Sequence, residues 1–372
     1  MQRTVIKTTK EWVAIKTQWH QLLAQIPDHT IFMTWEWQYY WWHHYAEKFN
    51  NPMLRIATYY VDGKLVAILP YFLYTERFGP IALRKASYLG SKIESSDYLD
   101  VIVAPTYKEF FLKNLDTEIR TLVPEADIIE LNNCLPESIF YHVYGYHTNG
   151  EVFTETYRVC PYVSLPSSFD GYLKQLSSNF RYNVRRKVKK LIQKTGVRFE
   201  LWENLAEANQ VVEDIFELHA RRAKQKGLNT KFKRSLRLAF HQDVVRELVP
   251  KGYVKIFHLI TSQNEKIAGM YCFDYNHTLA YFQAGFDPQW ANFSPGLVML
   301  AKTIEYAINQ GYQIFDFMRG GEAYKKNWGT KDRFIYLITV PNSARGKAYL
   351  HYYKIRKWVA PRVKRILAKR KE

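Results

Sequence analysis

The stretch Phe315-Asp316-Phe317-Met318-Arg319-Gly320-Gly321-Glu322-Ala323-Tyr324-Lys325-Lys326-Asn327-Trp328 sets an apolar strand, a double glycine and a run of ionisable side chains in immediate succession. Gly320 and Gly321 allow a sharp turn at positive φ, or a close approach of backbone to a ligand. Asp316, Glu322, Tyr324 and Lys325 offer base, acid and charge at one strand end, the kind of rim on which catalysis is built. The same residues also suit a strand that leaves its sheet through a glycine turn into a helix whose acidic first turn complements the dipole.

Upstream, an apolar-periodic helix over 297–310 leads through Gly311 into a strand over 312–317. Before it, a strand over 279–286 runs into Asp287-Pro288-Gln289-Trp290-Ala291-Asn292-Phe293-Ser294-Pro295-Gly296. Ser294 is placed to cap, Pro295 suits a first helical position, and Gly296 permits close approach. Free N–H groups at such a start attract an anion such as a pyrophosphate; a well-capped helix and nothing more is the plain alternative.

Further out, hairpin signals recur. Runs over 54–61 and 64–74 flank Asp62-Gly63, which suits a primed turn, and runs over 253–261 and 266–275 flank Gln263-Asn264-Glu265. Lys64-Leu65-Val66-Ala67-Ile68 and Lys266-Ile267-Ala268-Gly269-Met270 occupy matching places, as in a duplicated domain. Strands are expected at 86–89, 98–103, 127–131 and 197–202. Helices are expected at 8–25 behind a Thr8 cap, 36–49, 108–122, 169–175, 180–194, 205–224 and 234–248. The helix over 36–49, with Trp37, Tyr39, Tyr40, Trp41, Trp42 and Tyr45, suits either a buried core helix or a stacking surface. Alternating elements predict a mixed α/β fold, and 372 residues predict two domains.

The chain is 47% hydrophobic and 16% aromatic, which excludes a disordered tail protein. The start, Met1-Gln2-Arg3-Thr4-Val5-Ile6-Lys7, has no apolar h-region, and the longest uncharged run, near 65–74, is too short to span a bilayer. The expected location is the cytoplasm or, peripherally, the inner face of the membrane. Cys134, Cys160 and Cys272 have neither the parity nor the spacing of a disulfide framework or thiolate site, and His43-His44 diverge on a helix, so no metal is expected. The net charge of +18 gathers at 181–190 and 345–371, which attracts phosphate in nucleic acid, an anionic bilayer, coenzyme A or an acidic sugar. In 347–371 Tyr352, Ile355, Val359, Val363 and Ile366 recur at spacings of three and four among lysines and arginines, predicting an amphipathic basic helix interrupted at Pro361, its first piece docked on the second domain.

Several segments together resemble the GNAT acyltransferase superfamily, in the branch of CelD/BcsL-type proteins with a BioF-like acetyltransferase domain, itself similar to the FemABX aminoacyltransferases. They are Leu218-His219-Ala220-Arg221-Arg222, Phe240-His241, Ala284-Gly285-Phe286-Asp287-Pro288, Ser294-Pro295-Gly296, Phe315-Asp316-Phe317 with Gly320, and Glu322-Ala323-Tyr324-Lys325-Lys326-Asn327-Trp328. In the first half Thr34-Trp35-Glu36-Trp37 and Ser96-Asp97-Tyr98-Leu99-Asp100 also match. The resemblance implies an α/β (α+β) tandem pair of GNAT-like domains, over 1–165 and 166–342, followed by the basic helix over 343–372, with acyl-CoA (acetyl-CoA) as donor at the second domain. The usual glycine-rich pyrophosphate loop is replaced by Asn292-Phe293-Ser294-Pro295-Gly296.

Acyl transfer needs a base for the acceptor, donors for the oxyanion and an acid for the leaving group. The resemblance places the acid at Tyr324, with Asp316, His219 and Lys325 as further catalytic candidates. Donor contacts fall to Gln283, Gly285, Phe293, Ser294, Gly296 and Arg319. Acceptor contacts fall to Arg181, Arg185, Arg222, Glu322 and Asp97. His219 titrates near neutrality and suits a base, although a histidine inside a helix also serves structure alone. Three functions remain open: acyl-CoA-dependent transfer to a small-molecule or glycan acceptor, such as an amine, a sugar or a cell-envelope polysaccharide precursor; aminoacyl-tRNA-dependent transfer; and a non-catalytic polyanion binder that contacts tRNA or an anionic membrane through its basic faces. No stable protein partner is expected.

Overall fold

The computed structural model describes residues 1–79, 81–94, 96–146, 152–225, 227 and 234–369. They form two compact units, one of Met1–Ile26, Tyr45–Tyr157 and Ile335–Glu372, the other of Pro27–His44 and Arg158–Phe334. This division differs from cuts at 165/166 and 342/343 in two ways. Residues 27–44 join the second unit, because Trp37 is fully buried against Phe240 and Phe273 at ring distances of 5.0 and 5.5 Å, and His44 Nε2 lies 2.7 Å from Asp243. An aromatic helix of this kind is worth more as core than as a stacking surface. The last strand joins the first unit, because Tyr336 to Pro341 pair antiparallel with the Ile128–Cys134 strand.

In the first unit the strands follow one another across the sheet as Gln2–Ile6, Asn50–Val61, Lys64–Phe78, Ile81–Tyr88, Ile128–Cys134 and Lys331–Pro341. The Asp62-Gly63 turn has φ of 49° and 74°, the primed geometry expected of it. Ile81–Tyr88 and Ile128–Cys134 run parallel, with Lys85 to Ser87 opposite Ile128 to Glu130, joined through the Lys108–Leu122 helix. Thr8 caps the first helix and Glu11 returns the bond, a complete capping box. That helix stops at Ala14 and a second covers Lys16–Leu23, so the single helix over 8–25 is in fact two. The strand expected over 98–103 shrinks to Ile102–Val103.

The second unit repeats the plan. Val254–Ile260, Lys266–Tyr275 and Thr278–Phe286 form an antiparallel meander. The Pro295–Asn309 helix then returns the chain to Ile314–Asp316, which lies parallel to the meander's last strand. In both units the short matching sequences beginning at Lys64 and Lys266 open the middle strand of the meander. Arg198–Trp202 flanks one edge and the Phe153–Ser164 strand pairs with Ile314–Asp316 at the other. The latter strand and Lys331–Pro341 were not expected from the sequence, since neither is bounded by hairpin punctuation or opens a strong alternation. Val298, Met299, Ile304, Phe257, Leu259, Phe315 and Trp328 form the core; each such side chain taken from water contributes about 1.5–3 kcal/mol.

The Ala344–Lys369 helix corrects two expectations. It continues through Pro361 without a break, and it packs on the first unit rather than the second, with Tyr349 and Tyr352 on Phe78 and Tyr353 on Phe153. Lys371 lies outside the described residues. Among those residues no helix is long and apolar enough to cross a membrane, and no group of three His, Cys, Asp or Glu is placed to hold a metal.

Candidate active site

The parallel pairing in the second unit is short. Thr278 to Ala280 face Ile314 to Asp316, and there it ends, while the first of these strands runs on to Phe286. After Asp316 the chain keeps to its other neighbour instead: Phe317 N–H donates to the Pro161 carbonyl and Gly320 N–H to the Val159 carbonyl, each at 2.9 Å. The two carboxyl ends therefore separate. Such a divergence beyond the carboxyl ends of strands is where α/β sheets bind ligands. A bulge deepens it, because Tyr271 faces Gln283 and Cys272 faces Tyr281, leaving Phe282 as the extra residue.

Tyr281, the first residue past the shared pairing, meets Tyr324 from the far side of the turn. The two phenols shift each other, Tyr324 raising the pKa of Tyr281 and Tyr281 lowering that of Tyr324. Burial, then the neighbouring Tyr324, push Tyr281 well above the ordinary phenol. Burial also leaves Tyr324 raised on balance, with Glu322 adding to the rise and Arg222 opposing it. Tyr324 therefore keeps its proton at neutral pH. Its residue is 37% exposed, so the proton can reach a ligand.

The Ala208–Gln225 helix brings His219 and Arg222 to the same strand. Contact is that close because of Gly285: a Cβ there would overlap the backbone of Leu218 and His219. Gly285 is accounted for by this packing rather than by a donor. His219 Nδ1 lies 2.6 Å from Gln283 Nε2 and 3.2 Å from the Ala284 carbonyl, which leaves Nε2 as the nitrogen to act on a ligand. Burial lowers its pKa, the Ala284 bond opposes this, and Arg237 and Arg222 lower it further, so the imidazole is neutral at pH 7. Arg222 lies over the Phe286 ring at 4.6 Å.

Several residues expected in the site serve structure instead. Lys325 is 3% exposed, and its ammonium donates to the carbonyls of Phe317 (3.0 Å), Met318 (3.4 Å), Arg319 (3.3 Å) and Gly320 (3.0 Å) and pairs with Glu322 at 2.9 Å. It clamps a turn in which Met318 has φ 54° and Gly320 φ 125°, and all its donors are engaged, so it has none to offer a reaction. Glu322 is committed to that clamp. Asp316 is fully buried, accepts the Met318 N–H at 2.7 Å and lies 3.6 Å from Arg333, a turn-closing role that keeps it from an acceptor. Arg319 lies half-buried on the same turn.

At the helix start, Ser294 does not cap with its side chain. It is left-handed, φ 57° and ψ 51°, and its carbonyl accepts from Leu297 and Val298. Pro295 has no N–H, so Gly296 supplies the one first-turn N–H without a backbone partner, beside the Phe286 ring. Two cations of the basic segment over 181–190, not singled out as donor contacts, come to this turn: Lys187 donates to the Asn292 carbonyl at 3.4 Å, and Lys190 lies 4.7 Å from the Phe293 ring centre. Arg181 and Arg185 point elsewhere, to the Lys174 carbonyl and to Asp170. Asp97 belongs to the first unit, where it is 1% exposed. Tyr281 was also missed; its only sequence signal was its place in a strand leading to the capped turn.

Residues 178–326 match the family model described as an acetyltransferase (GNAT) domain. No curated protein matches the chain in sequence. Among solved structures the chain is similar to FemX, with 13% identity and a TM-score of 0.58 over 91% of this chain and 97% of that one. It is also similar to a conserved protein of unknown function from Bacteroides thetaiotaomicron, with 8% identity and a TM-score of 0.54 over 91% and 100%. A third likeness is to the C-terminal DUF2156 domain of a protein assigned as a lysylphosphatidylglycerol synthetase from Agrobacterium fabrum, with 9% identity and a TM-score of 0.51 over 93% and 97%. These likenesses show a shared fold, and the match to the acetyltransferase (GNAT) domain model covers the stretch that holds His219, Tyr281 and Tyr324.

Proposed function

We propose that the second unit is an acyltransferase of the CelD/BcsL type that moves an acyl group from acyl-CoA to the amine or hydroxyl of a sugar or cell-envelope polysaccharide precursor in the cytoplasm. The observation that carries this reading is a protonated Tyr324, 37% exposed beside the point where the strand pairing ends, with Tyr281 and Arg222 both lowering its pKa and so stabilising the phenolate once the proton has gone. Acyl-CoA, when bound, supplies an activated carbonyl and a sulfur leaving group. His219 Nε2, neutral and uncommitted, takes one proton from the acceptor, and Tyr324 returns one to the departing sulfur. Arg222 stabilises the phenolate left behind. The Gly296 N–H, Lys187 and Lys190 form an electropositive turn fitted to the donor's phosphates.

A second reading keeps the same acid and base but takes an aminoacyl ester of tRNA as donor, the departing group then being a ribose oxygen. The Ser178–Val188 helix favours it, since Tyr182 is 66% exposed among Arg181, Arg185 and Arg186. Thermal shifts with acetyl-CoA, longer acyl-CoAs and aminoacyl-tRNA separate the two donors. Gly296→Asp should weaken acyl-CoA binding in calorimetry while the protein stays folded. If no acyl-CoA raises Tm and Gly296→Asp binds as the parent does, the acyl-CoA reading fails.

A further inference from the structure

One face of the Ala344–Lys369 helix is committed to the first unit. Leu350 is 3% exposed there, Tyr353 Oη donates to Glu155, and Lys357 pairs with the same carboxylate. The other face carries large apolar side chains into solvent: Ile355 is 50% exposed, Trp358 62% and Val359 37%, while Tyr352, 47% exposed, stands at the edge of this face with its ring partly against Phe78. Their spacing of three and four residues sets them on one arc, with Lys354 and Arg356 at its two borders. The helix contains no aspartate or glutamate, and lysine or arginine stands at 345, 347, 354, 356, 357, 362, 364, 365 and 369.

We propose that this face is a membrane-surface anchor that lays the helix in the headgroup layer of an anionic bilayer. Charge complementarity requires an anionic partner, and the arc selects among anions. Ile355 and Val359 gain nothing from phosphates in water or from the faces of bases, whereas the boundary between headgroups and acyl chains removes them from water and suits the Trp358 ring. The lysines and arginines at the borders reach lipid phosphates while the apolar arc is buried. An enzyme so anchored meets acceptors carried on the membrane; the anchor itself does not depend on the acyltransferase reading.

The test uses the full chain, sedimented with phosphatidylcholine vesicles containing phosphatidylglycerol, with phosphatidylcholine alone, and separately with tRNA at low and moderate salt. The parent should bind the anionic vesicles, lose binding as salt rises, and ignore neutral ones. Ile355→Ser with Trp358→Ser leaves the charge and the buried face unchanged, so Tm should hold while vesicle partitioning falls about tenfold. Lys354→Gln with Arg356→Gln should cost about fivefold per charge and flatten the salt dependence. The proposal is overturned if the parent does not bind anionic vesicles, if the serine variant binds them as well as the parent, or if these substitutions weaken tRNA binding and leave vesicle binding unchanged.

Discussion

The two units place a parallel strand pair at the same point of the same plan, and treat it in opposite ways. In the first, Glu130 ends the parallel register and is 5% exposed. Lys85 (3.3 Å), Lys92 (2.6 Å), Ser87 (2.7 Å) and Tyr74 (2.9 Å) all reach its carboxylate. Burial pushes its pKa up, but the Lys92 and Lys85 charges with the Lys92 and Ser87 bonds outweigh this and hold it well below the carboxylate range. In the second unit Asp316 ends the register as a similarly enclosed carboxylate, yet one residue past the pairing Tyr281 stands beside Tyr324, a partly exposed tyrosine that keeps its proton. A closed network stabilises; on the proposed reading, catalysis uses the proton that the second unit leaves unspent.

The contrast breaks most easily at Tyr324. Tyr324→Phe keeps the ring and removes the proton, so single-turnover transfer should fall by about two to four powers of ten with little change in donor affinity. A parental rate would remove Tyr324 from the chemistry and make the second unit as closed as the first.

The complementary substitution is Glu130→Gln. It leaves Lys85 and Lys92 facing a neutral group, and should cost about 3–5 kcal/mol in denaturant unfolding, with transfer by the folded protein unchanged. The sign of the pH dependence follows from the depressed pKa: Glu130 contributes stability above its ordinary value of 4.5, and this is lost as pH falls below it. The parent should lose stability below that pH more steeply than Glu130→Gln; parallel acid curves would show that the network contributes nothing.

Tyr281→Phe sharpens the comparison within the second unit. Tyr324 keeps its proton but loses the neighbouring hydroxyl that lowers its pKa, so transfer should drop about 10- to 100-fold, as for one hydrogen bond to a charged group. A loss as large as that of Tyr324→Phe would assign the proton to Tyr281 instead. The smallest effect concerns His219. A base of lowered pKa is neutral at pH 7, so kcat/KM should stay flat through neutrality and fall only at a midpoint below 6.5, a limb that His219→Gln abolishes. A midpoint above 6.5 would point to another base.

Much of the frame was legible. The capping box at Thr8, the Asp62-Gly63 turn, the helices over 108–122, 169–175 and 234–248 and the strand over 266–275 rest on local chemistry that does not need the rest of the chain. The site was legible only in part. Tyr324 and His219 stand where a ligand can reach them, whereas Lys325 read as a reactive cation because a sequence shows that a charge exists and not how many carbonyls surround it. Gly285 read as a ligand contact for the same reason: glycine marks a close approach, and only packing shows that a helix backbone is what approaches.

By itself the sequence determined most of the strands and helices, the matching hairpins, the basic segments and the short list of groups able to exchange protons, since hydrophobic period, turn chemistry and side-chain type are local properties; the strands Phe153–Ser164 and Lys331–Pro341 escaped it. Tertiary structure alone decided which of those groups stay available. That choice depends on the loss of strand pairing after Ala280, on the approach of one helix permitted by Gly285 and on the placing of Tyr281 beside Tyr324. Each of these joins residues far apart in the chain, and a proton's availability depends on every neighbour that could claim it.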